Sequence, residues 1–523
     1  MTELHRRWQD ALQRLRRGPG LAYAVAAILG LLLSIPIWCV QRPPIQDLPQ
    51  HVAAVRVLAD FGDPALKFHQ YFELVPWRTQ YLTVYILAAL LAQVTSALVA
   101  TKCVLTLAMA AIVVSSLRLR RALGLDPWLG LMALVLVWNV HVFLGFINFI
   151  AAISLLLLGL ALGTEERRAP SRRRRWILAT LLVLTFLTHV VAYALLVAGL
   201  FVLGLEPKVK ATLRACVPLI PSLVAAAGWS WLSPAGNDLV GILAAGAGKN
   251  DAQANFMSFG QAYRSMADFL LDILPGQGDD FRFVVFALLL AALLLFGPFG
   301  SSSRVARSND AAAQRGRLAV ATTVLVALVA YFFLPEAYGF IWPISQRFPL
   351  LVLVLLVALI DCWRPIERVA AVVAVSLSVF SVVEVANAFR KFEPEAYSGF
   401  DAIEQRIPLG SRVAGLIFRS DSPYVRFSPL LHAVAWVQAD RGGLVMFTFA
   451  EFPSSPFTFR PQSAPPRVPP RWEWAPGLVF PDQDLGYYDY VLVRGGPGAI
   501  ALARDFVKLD ARGSWSLWRR VVH

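Results

Sequence analysis

The sequence predicts an all-α polytopic membrane protein followed by a small α/β domain outside the bilayer. Three observations carry this. The 523 residues are 57% hydrophobic and 16% charged, whereas soluble domains carry about 25% charged residues; the mean hydropathy is +0.59. Apolar runs near the roughly 20 residues that cross a bilayer recur from residue 20 to residue 386. From about 389 the long runs stop, and Pro, Gly, Asp and aromatic residues rise. The chain therefore divides into a transmembrane domain, 1–388, with a first outer loop at 41–97, and a C-terminal domain, 389–523.

The net charge is +14. The arginines cluster at the ends of apolar runs, as in "RLRR", "EERRAPSRRRR" and "RVARSNDAAAQRGR". That is the pattern of cytoplasmic loops under the positive-inside rule, not of a nucleic-acid patch. The four cysteines, Cys39, Cys103, Cys216 and Cys362, show neither disulfide-framework nor metal-site spacing.

The run "GLAYAVAAILGLLLSIPIWCV" follows a basic stretch and lacks a small-residue cleavage site, so it reads as an uncleaved signal anchor with its N-terminus in the cytoplasm. Span 1, about 20–40, then exits outward. If 80–96 and 98–117 both crossed, the loops 118–121 and 165–175 would face outward with all their arginines. The conflict disappears if 80–96 lies along the outer interface, where Tyr81, Tyr85 and Gln93 belong. Spans 2 to 11 follow at about 98–117, 127–143, 147–163, 176–189, 191–205, 215–232, 283–298, 318–334, 348–361 and 366–386, with an outer segment at 233–281. Eleven spans leave the C-terminal domain outside. There, "GSRVAGLIF" and "YDYVLVRGG" read as buried strands, "DAIEQRI" and "GAIALARDFVKL" as helices, and the Pro-rich 453–477 as an extended loop.

Polar residues gather at the outer ends of the spans. "RPPIQDLPQH" places Asp47 and His51 just after span 1. Asp followed by Pro is a good helix start, and Leu48, Val52, Val55 and Ala59 recur at helical spacing, so 48–60 reads as an amphipathic helix on the membrane surface. Asp47 is then either an N-cap or a functional carboxylate, one turn from His51. Asn139, His141 and Asn148 lie at the turn between spans 3 and 4; Thr188, His189 and Tyr193 follow span 5; Glu336, Tyr338, Trp342, Gln346 and Arg347 precede span 10. Polar groups beside spans face a cavity or one another, so these define one wet cavity at the outer face. His51, His141 and His189 with Asp47 could ligate a metal, but no HExxH or similar ligand pair occurs, and no metal or other cofactor is expected. There is no P-loop, GxGxxG or catalytic-serine context. What remains is a carboxylate acting as general base, with an Arg to hold a phosphate.

This layout resembles the GT-C superfamily of membrane glycosyltransferases, which includes protein O-mannosyltransferases and lipid A aminoarabinose transferases. In that superfamily an acidic residue follows span 1, matched here by Asp47 in "IQDLPQH", and non-crossing helices follow it, matched by 48–60 and 80–96. The late outer loop with an Arg before a returning span matches Arg347 in "PISQRFPL". The sequence departs from the pattern between spans 3 and 4, where "NVHVFLGFIN" offers no acid. The resemblance implies sugar transfer from a polyprenyl-phosphate donor to a lipid, protein or polysaccharide acceptor, at the periplasmic side of a bacterial inner membrane. It implies Asp47 as base, His51 orienting Asp47 or binding donor, and Arg347 on the phosphate. His141, Asn148, His189, Glu336 and Gln346 would line the substrate cavity. A lipid or solute transporter would instead show inverted repeats, and none is seen. A non-catalytic envelope-assembly protein on the same scaffold stays open.

Overall fold

The computed structural model describes residues 20–249, 251–300, 310–466, 472–496 and 505–521. Among them, five helices are long and apolar enough to cross a bilayer: Ala97–Ala122, Ile147–Arg168, Val209–Leu232, Ala311–Phe333 and Pro365–Ala396. Ala97–Ala122 and Ile147–Arg168 form the centre of the bundle. Around them pack Gly20–Leu32, Pro127–Leu136, Val190–Gly204 and Ala311–Phe333. The chain is a multi-pass membrane protein.

Three of the expected spans are not single α-helices; the seventh winds into a 3-10 turn at Val217–Leu219. The first stops at Leu32 and resumes as Ile35–Trp38. Pro36 sits there without an N–H and would clash with the preceding turn of a continuous helix. The third is a 3-10 run, Pro127–Leu136, followed by the short helix Val140–Leu144. Ten residues at about 2.0 Å rise cover roughly 20 Å, so the 3-10 winding stretches a short segment. The segment 80–96 forms only the eleven-residue helix Leu82–Ala92, which at 1.5 Å per residue is about 16 Å long against a hydrocarbon core of about 30 Å.

At the arginine-rich end, Arg120 is fully buried. It donates to the carbonyls of Asp126, Val357 and Ile360 and to the Glu367 carboxylate at 2.7–2.9 Å. Part of the "RLRR" cluster is thus a structural pin as well as a topology signal. Basic residues 301–309 lie outside the described residues.

Helix Arg364–Ala396 has 33 residues, about 50 Å at 1.5 Å each, and passes through the 388/389 boundary read from composition. It carries Glu393, which accepts from the Arg42 backbone N–H at 2.7 Å. The Arg42 side chain, just beyond the first span, is buried among Asp401, Glu404 and Asp440 and lies over the rings of Tyr397, Phe400 and Trp436. Charge pairing and ring contact together fix the C-terminal unit to the first loop.

The strands, in chain order, are β1 (Phe72–Leu74), β2 (Ala254–Asn255), β3 (Ala337–Tyr338), β4 (Arg412–Ile417), β5 (Leu444–Val445), β6 (Phe457–Phe459), β7 (Tyr490–Arg494), β8 (Phe506–Arg512) and β9 (Trp515–Arg520). The C-terminal sheet has the order β5-β4-β7-β9-β8. Its β4 contacts are parallel, while β9 runs antiparallel to both neighbours. Two sequence expectations are corrected here. Residues 506–509 of "GAIALARDFVKL" are strand, because β8 pairs with β9 across a turn at Gly513 (φ +58), and pairing outweighs local helical preference; residues 498–504 lie outside the described residues. The Pro-rich 453–477 contains β6, which pairs antiparallel with β1, Phe72 opposite Phe459; residues 467–471 lie outside the described residues. This small ribbon is a second tie between first loop and C-terminal domain.

Helix Leu48–Ala59 lies between the short helix Leu82–Ala92 and the membrane helix Ala97–Ala122 on one side and the C-terminal helix Ala435–Arg441 on the other. It is therefore buried nearly all round, not spread on an open membrane surface.

Candidate active site

Asp47 occupies the N-cap position of Leu48–Ala59, but its side chain caps no backbone N–H. The helix starts instead with Pro49 near its first turn, where the missing N–H costs nothing. The carboxylate is left for other work. It faces Nε2 of His432 at 3.3 Å. Its backbone is pinned: Gln46 N–H donates to the Phe143 carbonyl at 2.9 Å and Asp47 N–H to the Leu144 carbonyl at 3.2 Å. Next comes Gly145, at φ +91. A side chain there would be strained by the left-handed backbone and would meet Asp47. The turn "HVFLGF" is therefore the cradle of Asp47.

His51 lies one turn further along. Its Nδ1 is 2.9 Å from the Tyr85 hydroxyl on helix Leu82–Ala92, and its ring stands edge-on to Phe449 of the C-terminal domain at 5.2 Å. Burial pulls the His51 imidazole below its ordinary pKa, with Asp47 opposing the shift. Burial likewise pushes the Tyr85 phenol up.

Arg347 ends the 3-10 turn Ser345–Arg347, ahead of helix Phe348–Leu359. It is buried, with its guanidinium over the Phe146 ring at 4.8 Å. Tyr81 lies within reach of it, and Asp47 is near enough to act on its charge. One of its terminal nitrogens lies 3.3 Å from His189 Nε2. His189 Nδ1 accepts from Val191 N–H at 3.2 Å, capping helix Val190–Gly204. Arginine can only donate, so the contact to Arg347 makes Nε2 the acceptor, and a neutral ring cannot accept at both nitrogens at once. The guanidinium is a buried cation at this point, suited to an anionic oxygen.

His141 is buried between the rings of Phe146 and Phe149, beside the Gln346 backbone and near Arg347. Neither of its ring nitrogens makes a hydrogen bond of good geometry among the described residues. The sequence-derived residues Asp47, His51, His141, His189 and Arg347 thus form one group. Asn148 is buried nearby in the chain, its Oδ1 without a partner among the described residues. Glu336 and Gln346 bond each other at 3.3 Å, and Glu336 accepts from Asn255 at 2.7 Å. Those two side chains tie a loop to the β2 segment. Asn139, also singled out by the sequence, caps Val140–Leu144 through two backbone N–H groups.

The sequence reading missed His432. "SPLLHAVAW" has no motif, and only the docking of the C-terminal domain brings it to Asp47. A cleft of about 660 Å³ is lined by Asp268, Phe269, Asp272, Arg426 and Phe427 among others. The next residue, Ser428, donates its N–H to Gln46 Oε1 at 3.4 Å, beside Asp47.

The same fold is found in the crystal structure of ArnT from Cupriavidus metallidurans bound to undecaprenyl phosphate. The TM-score is 0.56 at 10% identity, over 96% of this chain and 98% of that one. No family model and no curated protein matches the sequence.

Proposed function

We propose that this protein transfers a sugar from a polyprenyl-phosphate donor to an acceptor at the periplasmic face of a bacterial inner membrane. The observation that carries the reading is that Asp47, an uncapped carboxylate, and Arg347, a buried cation, lie within electrostatic reach of each other in one buried group. Arg347, held beside His189, binds the donor phosphate. The prenyl chain runs into the bilayer along apolar helix faces such as Val209–Leu232, whose Val224 and Trp231 are exposed. The acceptor arrives from water through the cleft at Phe269 and Phe427.

In the reaction, an acceptor hydroxyl or amine attacks the anomeric carbon while Asp47 takes its proton. The bond from that carbon to the phosphate oxygen breaks, and the phosphate leaves with the electron pair. Arg347 stabilises the charge that develops there. The scheme draws on protein groups alone. Arginine-rich helix ends favour the cytoplasm, and this supports a periplasmic position for the group.

The test is sugar release from labelled undecaprenyl-phosphate-linked hexoses and pentoses by the protein in vesicles. Asp47→Asn should reduce the rate by about 100-fold or more, the usual contribution of a general base. Arg347→Lys keeps the charge but loses the forked geometry and should raise KM for the donor. An Asp47→Asn protein that remains folded and fully active contradicts the proposal.

A further inference from the structure

We infer that His432, carried by the C-terminal domain, is the positioning residue of Asp47, so that the site is complete only when that domain is docked. The inference rests on reading Asp47 as the base.

The carboxylate of Asp47 has no helix-cap bond to orient it. His432 Nε2, 3.3 Å from Oδ1, supplies that orientation and leaves Oδ2 for the acceptor proton. His432 is itself held from both sides. It stacks on Phe447, with ring centroids 5.0 Å apart and planes 16° from parallel, and is only 7% exposed. The Phe447 carbonyl accepts from Gln50 Nε2 at 3.0 Å, so the stacking partner is fixed to the helix that Asp47 begins. His432 also precedes helix Ala435–Arg441, which packs over that helix. Its other nitrogen, Nδ1, is buried without a hydrogen-bond partner among the described residues. A buried polar ring placed only for packing would be expected to satisfy both nitrogens. Here the contact to Asp47 is the one that orients the ring.

The groups facing this pair can be named. His51, on the same helix as Asp47, acts on both Asp47 and His432. Tyr85 and Arg347, from two other elements, act on Asp47. During transfer the acceptor proton goes to Oδ2, while the Nε2 contact to Oδ1 persists. His432 therefore holds the base in place.

The full-length protein in vesicles tests this, with sugar release to water from undecaprenyl-phosphate-linked sugars as the readout. His432→Phe keeps the ring stack and removes the polar contact to Asp47. It should lower kcat by about 10- to 100-fold, the scale of one charge-assisted hydrogen bond, with KM for the donor unchanged. His432→Gln retains an N–H donor and should recover most of kcat. His432→Asn, too short to reach, should behave like His432→Phe and covers the case in which the Phe variant does not fold. Wild-type kcat in His432→Phe or His432→Asn, beside an inactive Asp47→Asn, overturns the inference and leaves the base reading standing. A fully active Asp47→Asn removes the base reading itself.

Discussion

A Cβ placed on Gly145 would stand 2.8 Å from the Cβ of Asp47 and 2.9 Å from its backbone nitrogen. Backbone cannot swing aside as a flexible side chain can. The left-handed φ of +91 adds about 1–2 kcal/mol for a residue with a side chain. Gly145→Ala should therefore lower the melting temperature and displace Asp47. Small displacements of a reacting group can cost roughly 100-fold in rate, so sugar release should fall by about that factor. A Gly145→Ala protein with wild-type rate would show that the cradle does not position the carboxylate.

Burial holds the His51 imidazole below its ordinary pKa, which fixes a sign. Above about pH 6.5 the ring is neutral in both folded and unfolded chains and contributes no pH dependence. As pH falls through that value the unfolded chain binds a proton that the folded chain resists, so stability drops. Thermal unfolding in detergent should therefore show wild type losing more stability between pH 7.5 and pH 5 than His51→Gln does. Equal losses in the two proteins would remove His51 as the source.

The threading of the chain is open to labelling. Lys102 and Arg120 are both buried and would report poorly. Val94, 81% exposed, and Arg121, also exposed, are better sites on a background without the native cysteines. If helix Leu82–Ala92 stays out of the bilayer core, Val94→Cys is labelled from the periplasm and Arg121→Cys only after the membrane is opened. The reverse pattern means that 80–96 crosses.

Much of this site was legible because its residues share one end of the spans. Asp47, His51, His141, His189 and Arg347 each interrupt or flank an apolar run, and desolvation makes such residues seek one another. Three features were not legible. His432 needs a contact between the ends of the chain. Arg42 reads as a flank of span 1, and only its acidic partners at 401, 404 and 440 reveal a domain tie. Helix Leu48–Ala59 looked amphipathic, yet its polar face is also covered: Gln50 bonds the Phe447 carbonyl and His51 the Tyr85 hydroxyl. Periodicity reports which face is apolar, not what covers the polar one. Asp47 likewise has the sequence of a cap without its hydrogen bond, because Pro49 and the Gly145 turn already set that helix start.

The central claim is that Asp47 and Arg347 serve one reaction centre. A structure of the protein with undecaprenyl phosphate tests it most directly. The account predicts phosphate density within about 3 Å of the Arg347 guanidinium, with a phosphate oxygen turned toward Asp47. Phosphate bound elsewhere, with Arg347 still turned to Phe146, Tyr81 and His189, would contradict it.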